Sequence, residues 1–203
     1  KLQRYQDLID NQLNKQNLAC FNMLNAKYII TQGGNGQPQA QRNPNACGNA
    51  WSVNTVNIVA NADAEMAALS SFNPKNSAIV DTRFSGYLGN QTTFAPAKLK
   101  LTSYDPKYME YSFEGGDAFV VFSEIYYEGS GNDWQAYLDG APIDHIRVNY
   151  TLRGIKVPAG KHEIVFEFKP DSYYTGKKVN MAGSAILLLL LAYFGWTTYK
   201  EGK

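Results

Sequence analysis

The chain has 203 residues, with 19 Lys and Arg against 18 Asp and Glu, and this formal net charge of +1 excludes an electrostatic argument for nucleic acid. Hydrophobic residues make up 44% of it, enough to build a core, which excludes general disorder. Aromatics make up 13%, 14 of them Tyr, and that favours a β-rich chain.

Leu2, Tyr5, Leu8, Ile9 and Leu13 recur at helical spacing, which predicts an amphipathic helix over 2–13, with a shorter one over 18–24. Lys27-Tyr28-Ile29-Ile30-Thr31 is β-branched and aromatic and reads as a strand. Residues 32–48 hold four Gly, two Pro and many amides, and read as a long polar loop. A single strand is predicted over 51–60. Asn61 and Asp63 offer cap oxygens to a helix ending near Ser71, Phe72-Asn73-Pro74 stops it, and 77–80 reads as the next strand.

From Ala97 the period becomes two. Leu99, Leu101 and Ser103 alternate with Lys98, Lys100 and Thr102, and strands follow over 108–113 and 118–127, the second apolar on both faces at its centre. Trp134–Leu138 meets Asp139-Gly140, a dipeptide that supplies positive φ for a hairpin turn. A strand over 151–157 is turned by Pro158-Ala159-Gly160, and Ile164, Phe166 and Phe168 alternate with Val165 and Glu167 in the last strand. Short strands at intervals of about ten residues predict an antiparallel β-sandwich or jelly-roll-like domain.

Residues 179–199 carry no charge, and as a helix these 21 residues span about 31 Å, the thickness of a hydrocarbon core. Lys177 and Lys178 flank one end and Lys200 and Lys203 the other, while Trp196 and Tyr199, with Tyr173 and Tyr174 opposite, fit interfacial belts. The small residues 182–185 suit either close helix contact or lipid. The expected organisation is a helical and loop lead-in over 1–50 packing on the β-domain, a β-sandwich over 51–170, and a transmembrane helix over 179–199; the flanking lysines do not fix which side the β-domain faces. The chain starts at Lys1 without a signal peptide, so it is expected to be part of a longer polypeptide.

The residues offer little chemistry. His145 and His162 have no partner at ligand spacing and read as ordinary polar residues. Gly129-Ser130-Gly131 reads as a turn, and Gly33-Gly34-Asn35-Gly36 lacks the Lys of a phosphate loop. No catalytic, cofactor-binding or metal residue is expected. Asp133 and Asp139 bracket Trp134, and carboxylates beside an aromatic can hold a sugar ring. Alternation puts Trp134, Ala136 and Leu138 inward and Gln135, Tyr137 and Asp139 outward, so Trp134 is expected in the core and Asp133, Tyr137 and Asp139 become the candidate glycan contacts. Cys20 and Cys47 either pair in an oxidising compartment or stay as one buried and one loop thiol. Asn90-Gln91-Thr92 and Asn149-Tyr150-Thr151 match the glycosylation pattern.

Several runs carry a resemblance. They are Arg4-Tyr5-Gln6-Asp7-Leu8-Ile9-Asp10, Leu24-Asn25-Ala26-Lys27-Tyr28, Gly48-Asn49-Ala50-Trp51, Ser123-Glu124-Ile125-Tyr126-Tyr127 and Trp134-Gln135-Ala136-Tyr137-Leu138-Asp139-Gly140. Arg147-Val148-Asn149-Tyr150, Val157-Pro158-Ala159-Gly160-Lys161-His162-Glu163-Ile164 and Pro170-Asp171-Ser172-Tyr173-Tyr174-Thr175-Gly176, leading into the apolar tail, continue it. In their order these resemble the C-terminal region of YfhO-type bacterial membrane proteins of Bacteroidetes-like organisms. The resemblance implies a polytopic parent similar to GT-C glycosyltransferases, which use lipid-linked sugars, with a β-rich extracytoplasmic domain closed by a last helix in the bacterial inner (cytoplasmic) membrane. The acidic residues of that chemistry lie in N-terminal loops that have no counterpart here, so no catalytic residue carries over.

Two readings of function follow. In one, the chain is a non-catalytic outer domain that covers the membrane site or holds a glycan acceptor, with the lipid bilayer, upstream transmembrane helices and a glycan or lipid-linked sugar as partners and no nucleic acid. In the other, it is a membrane-anchored structural or interaction module with no sugar chemistry. A concave face with exposed aromatics, amides and carboxylates favours the first, and a flat apolar patch the second.

Overall fold

A computed structural model describes residues 2–34, 36–127, 129 and 133–202. Asn35 of the glycine-rich loop, Ser130 and Gly131 of the expected turn, and Lys203 beyond the apolar run lie outside them. Two compact units divide the chain, one made of residues 1–126 and 135–167, the other of 127–134 and 168–203.

The first unit is mainly β. It opens with α1 (Gln3–Leu8), which runs into a π-helical turn (Ile9–Leu13), and then α2 (Leu18–Met23). The π turn buries Gln12, whose amide donates to Met66 O at 2.9 Å and accepts from Asn17 Nδ2 at 2.7 Å. Strand β1 (Tyr28–Gln32) pairs with β2 (Pro38–Arg42), so the expected polar loop contains a strand. Its amides give no apolar period to read, and Pro38 sits at the strand end, where its missing N–H is tolerated.

The strand expected over 51–60 is two strands, β3 (Ala50–Val53) and β4 (Thr55–Val59). Asn54 breaks it because its N–H donates to Asn76 O and its carbonyl accepts from Phe94 N, both at 2.9 Å, and this sends the halves into different sheets. After β4 come α3 (Ala62–Ala68), capped by Asn61 Oδ1 on Ala64 N, and β5 (Ser77–Asp81). Strands β4 and β5 pair in parallel as a separate two-stranded sheet beside the antiparallel sandwich, and the helix between them provides the crossover that parallel pairing needs. A 3-10 turn (Thr82–Phe84) and α4 (Ser85–Leu88) lead to the sandwich strands.

These strands are β6 (Ala97–Asp105), β7 (Tyr108–Gly115), β8 (Ala118–Ile125), β9 (Trp134–Leu138), β10 (Ala141–Ile143), β11 (Ile146–Val148), β12 (Leu152–Val157) and β13 (Gly160–Phe168). One sheet runs β10-β9-β13-β7-β6, the other β11-β12-β8-β3. They face each other through Phe122 of β8, whose ring lies 4.9 Å from Tyr111 and 4.9 Å from Phe166, edge-on to both. Ser52 of β3 bridges the same interface, accepting from Ala97 N at 2.9 Å.

The other side of β8 is covered too. Phe119 and Val121 join Trp51, Val53, Val56, Leu69, Ile79, Leu8, Cys20 and Met23 in one buried cluster. The lead-in helices and the β4–α3–β5 segment therefore form a third layer, with no separable core of their own. Gly154 of β12 is needed here, because a Cβ would meet Val148 Cγ1 at 2.7 Å and the Phe119 ring at 2.8 Å. Trp51 is the buried tryptophan, donating Nε1–H to Pro74 O at 2.7 Å.

In the second unit, α5 (Asp171–Glu201) is one helix. It is long and apolar enough to cross a membrane, and none of its apolar window is buried. It starts eight residues before the uncharged stretch and takes in Lys177 and Lys178. In the same unit Lys169 N donates to Asp133 O at 2.7 Å, and the Trp134 and Phe168 rings lie 5.2 Å apart.

Phe122→Ala empties the centre of the sandwich, and Trp51→Phe leaves the Pro74 carbonyl unpaired. Chemical denaturation in detergent should give a loss of about 3–5 kcal/mol for the first and about 1–3 kcal/mol for the second. Equal losses would contradict the central position of Phe122.

Candidate binding face of the five-stranded sheet

Alternation builds this face. In β7, Met109, Tyr111 and Phe113 are buried, which turns Glu110, Ser112 and Glu114 outward. In β13, Ile164 and Phe166 point in, and Lys161 and Glu163 out. The register then sets rows across three strands. Lys98, Glu114 and Lys161 align in one row, and Lys100, Ser112 and Glu163 in the next. A bulge in β6 between Leu101 and Ser103 ends the pattern. There Thr102 Oγ1 donates to Glu110 Oε1 at 2.9 Å, and the Tyr108 hydroxyl donates to Glu110 Oε2 at 3.2 Å.

These rows line a shallow groove of about 420 Å³. Three lysines and three glutamates line it, so its charge is balanced. The Lys161 ammonium reaches Glu114 Oε1 at 3.3 Å, an exposed pair of small energetic value. Donors and acceptors alternate at strand spacing, a pattern that suits hydroxyl groups, which both give and take hydrogen bonds.

The three candidate glycan contacts fall in different surroundings. Tyr137 is half-buried, and its hydroxyl donates to Gln135 Oε1 at 2.6 Å. Asp139 is exposed at the first position of the β9–β10 turn, where Asp139 (φ 50°) and Gly140 (φ 80°) take the left-handed conformations of a type I′ hairpin. Its Oδ1 accepts from Glu163 N at 2.8 Å and its Oδ2 meets His162 Nδ1 at 2.6 Å, so the carboxylate ties the hairpin tip to β13. Asp133 belongs to the second unit and is only 4% exposed. Trp134, expected in the core, is half-buried, while Ala136 of the same face is fully buried.

The histidines are structural. His162 packs on Phe113 with centroids 5.9 Å apart, and His145 lies between Tyr126 and Phe166 at 5.4 and 5.5 Å. Among the described residues no three His, Cys, Asp or Glu converge as metal ligands. Cys20 and Cys47 are free thiols, and burial pushes the first up to about 12 and the second up to about 11. Asn149 of the second glycosylation pattern is buried, with its Oδ1 accepting from Ile79 N at 2.8 Å, so in the folded chain it cannot accept a sugar. Asn90 of the first is exposed.

Sequence reasoning missed a second polar cluster. Glu65, Asp81, Arg147 and Asn149 are all buried, beside Arg4 of α1. Glu65 Oε1 accepts from Tyr150 N at 2.8 Å, and Asp81 accepts from Arg83 Nε at 3.1 Å. No local pattern joins residues so far apart in sequence. No signal in the sequence marks the cluster; in the structure it is marked by Asn149-Tyr150, two non-glycine residues at positive φ (47° and 71°), a costly geometry held by its surroundings.

The Glu163 N–H first, and then His162, hold the Asp139 carboxyl below the usual carboxylate range. Its stabilisation is therefore complete above the unfolded value near pH ~3.9 and is lost as pH falls through the lower folded value. Asp139→Asn should lower the melting temperature at pH 6 and flatten its acid decline, a comparison made by thermal scans from about pH 2 to 7. The buried Cys20 thiol should resist an aromatic disulfide reagent at pH 8 until the chain is unfolded, the half-buried Cys47 should react slowly, and rapid labelling of Cys20 in the native protein would contradict its burial.

Comparison with family models, curated proteins and solved structures gives no match.

Proposed function

We propose that the chain is a non-catalytic, membrane-anchored β-sandwich domain that holds a glycan on the outer face of its five-stranded sheet. The observation that carries this reading is the groove itself, with balanced charge and rows of alternating donors and acceptors. A nucleic acid would call for net positive charge and a protein partner for an apolar centre. Two of the groove's three carboxylates are also engaged, Glu110 by Thr102 and Tyr108 and Glu114 by Lys161, which suits holding a ligand more than proton transfer. The resemblance to YfhO-type proteins supports a place beside the upstream transmembrane helices of a lipid-linked-sugar-dependent transferase, on the extracytoplasmic side of the bacterial cytoplasmic membrane.

One observation favours the alternative, a protein-interaction module without sugar chemistry. In the β1–β2 hairpin, Tyr28 and Ile30 share one face and are 64% and 74% exposed. An isolated two-stranded hairpin with such a face gains stability from a partner.

The test is binding of the full chain, in detergent micelles, to a panel of bacterial envelope polysaccharides. Saturable binding, weakened about tenfold or more by the double change Lys100→Ala and Glu163→Ala, is the expected result, equivalent to about 1.4 kcal/mol. Tyr28→Ser with Ile30→Ser should leave it unchanged. Absence of binding to every polysaccharide, or loss only in the hairpin variant, would overturn the reading.

A further inference from the structure

A different corner of the first unit holds a small cavity with unused donors. It lies where α1 crosses the β11–β12 turn and has a volume of about 170 Å³. Arg4, Arg147 and Thr151 line it, and Tyr5, Ile125 and Tyr126 supply apolar wall. Leu2 at its rim is exposed and leaves a way in.

The polar atoms there lack partners. Arg147 Nε and Nη2, Arg4 Nη1 and Thr151 Oγ1 are all buried without a hydrogen bond. The Arg147 side chain is only 8% exposed. The neighbouring carboxylates do not use these N–H groups, because Arg147 Nη2 is 3.9 Å from Asp81 Oδ2 and Arg4 Nη1 is 3.7 Å from Glu65 Oε2. Ring faces hold the guanidinium planes instead, Tyr150 under Arg4 at 4.6 Å and Phe84 under Arg147 at 5.2 Å. Two cations are thus fixed in orientation with N–H groups left unpaired.

Native proteins rarely leave buried guanidinium N–H groups unpaired. We propose that this cavity is a binding site for a small oxyanion, a carboxylate or phosphoryl group, gripped by Arg4, Arg147 and Thr151. The site is separate from the sheet face and does not depend on it. The guanidinium edge matches a two-oxygen acceptor, and Thr151 adds a neutral donor. Around Arg147 the charge balance agrees: Arg4, Arg83 and Arg147 against Glu65 and Asp81 leave one positive charge over, and the next carboxylate, Asp7, is engaged by the Tyr150 hydroxyl at 3.1 Å. Burial also raises the Glu65 pKa, which weakens its claim on the cations. The volume limits the group, since it holds only about six waters at ~30 Å³ each. A whole disaccharide does not fit, but a carboxylate or phosphate with a few attached atoms does.

The test uses the full chain in detergent micelles at constant ionic strength, titrated by calorimetry with inorganic phosphate, acetate, glucuronate and, as a neutral control, glucose. Saturable binding of at least one anion and none of glucose is expected. Arg4→Gln and Thr151→Val, one half-exposed and the other nearly isosteric, should each weaken it about tenfold without moving the unfolding midpoint. Arg147→Gln should abolish it, and if that variant does not fold the other two still decide. Glucuronate binding tighter than acetate would identify the anion as part of a sugar acid, and phosphate or acetate binding best would identify a free small anion; both support the site. No saturation by any anion at about 10 mM, equal binding of glucose, or anion affinity unchanged in both Arg4→Gln and Thr151→Val would overturn it.

Discussion

The fold depends on one constraint, a strand that must be covered on both sides. Ala118–Phe122 of β8 is fully buried, so neither face can meet water. The even positions find Tyr111 and Phe166 across the sandwich, and the odd positions find the third layer built from the lead-in helices and the parallel pair. Aromatic pairs of this kind add about 0.5–1.5 kcal/mol each beyond their buried area. A two-sheet sandwich alone would leave Phe119 and Val121 facing solvent. The 50-residue lead-in is thus a required cover for the β-domain.

The parts of the fold that bury a regular stripe were legible in the sequence. Strands β6, β7 and β13 announce themselves by alternation, β8 by its apolar run, α5 by length, and the β9–β10 hairpin by Asp139-Gly140. Strand β2 was not legible, because Gln39 and Gln41 pair by backbone alone. The parallel β4–β5 pair was not legible either, since direction is set by the crossover and leaves no mark in either strand. At Trp134 alternation identified the inward face correctly, as buried Ala136 shows, but tryptophan size misdirected the choice of core anchor. The anchor is Trp51, whose indole has a carbonyl to pair with.

The candidate groove was half legible. Its outward charges follow from alternation once strands are assigned, yet the rows that join them depend on register, and register comes from pairing across distant segments. Asp139 was singled out for a sugar and turns out to be tied to His162 and Glu163 N. The polar cluster around Arg147 was invisible for a different reason. Its members come from four elements, and each alone looks like ordinary surface chemistry. Burying such ions without close pairing is unfavourable. The stability gained from the aromatic centre offsets that cost, and the orphan donors record it.

The bond between Tyr150 and Asp7 joins residues 143 positions apart, with the hydroxyl 3.1 Å from Oδ2. A ribosome adding about 5–20 residues per second needs roughly 7–29 s to bridge that gap. During that interval α1 has no β11–β12 turn to dock on, and a helix of six residues is too short to persist alone. Within this domain, α1 is therefore made well before the turn it docks on and is among the last parts to settle, and the nascent chain carries Leu8 uncovered for roughly a million times longer than a hairpin takes to close. The interval between the emergence of α1 and that of the β11–β12 turn is when this domain is most exposed to aggregation and to proteases.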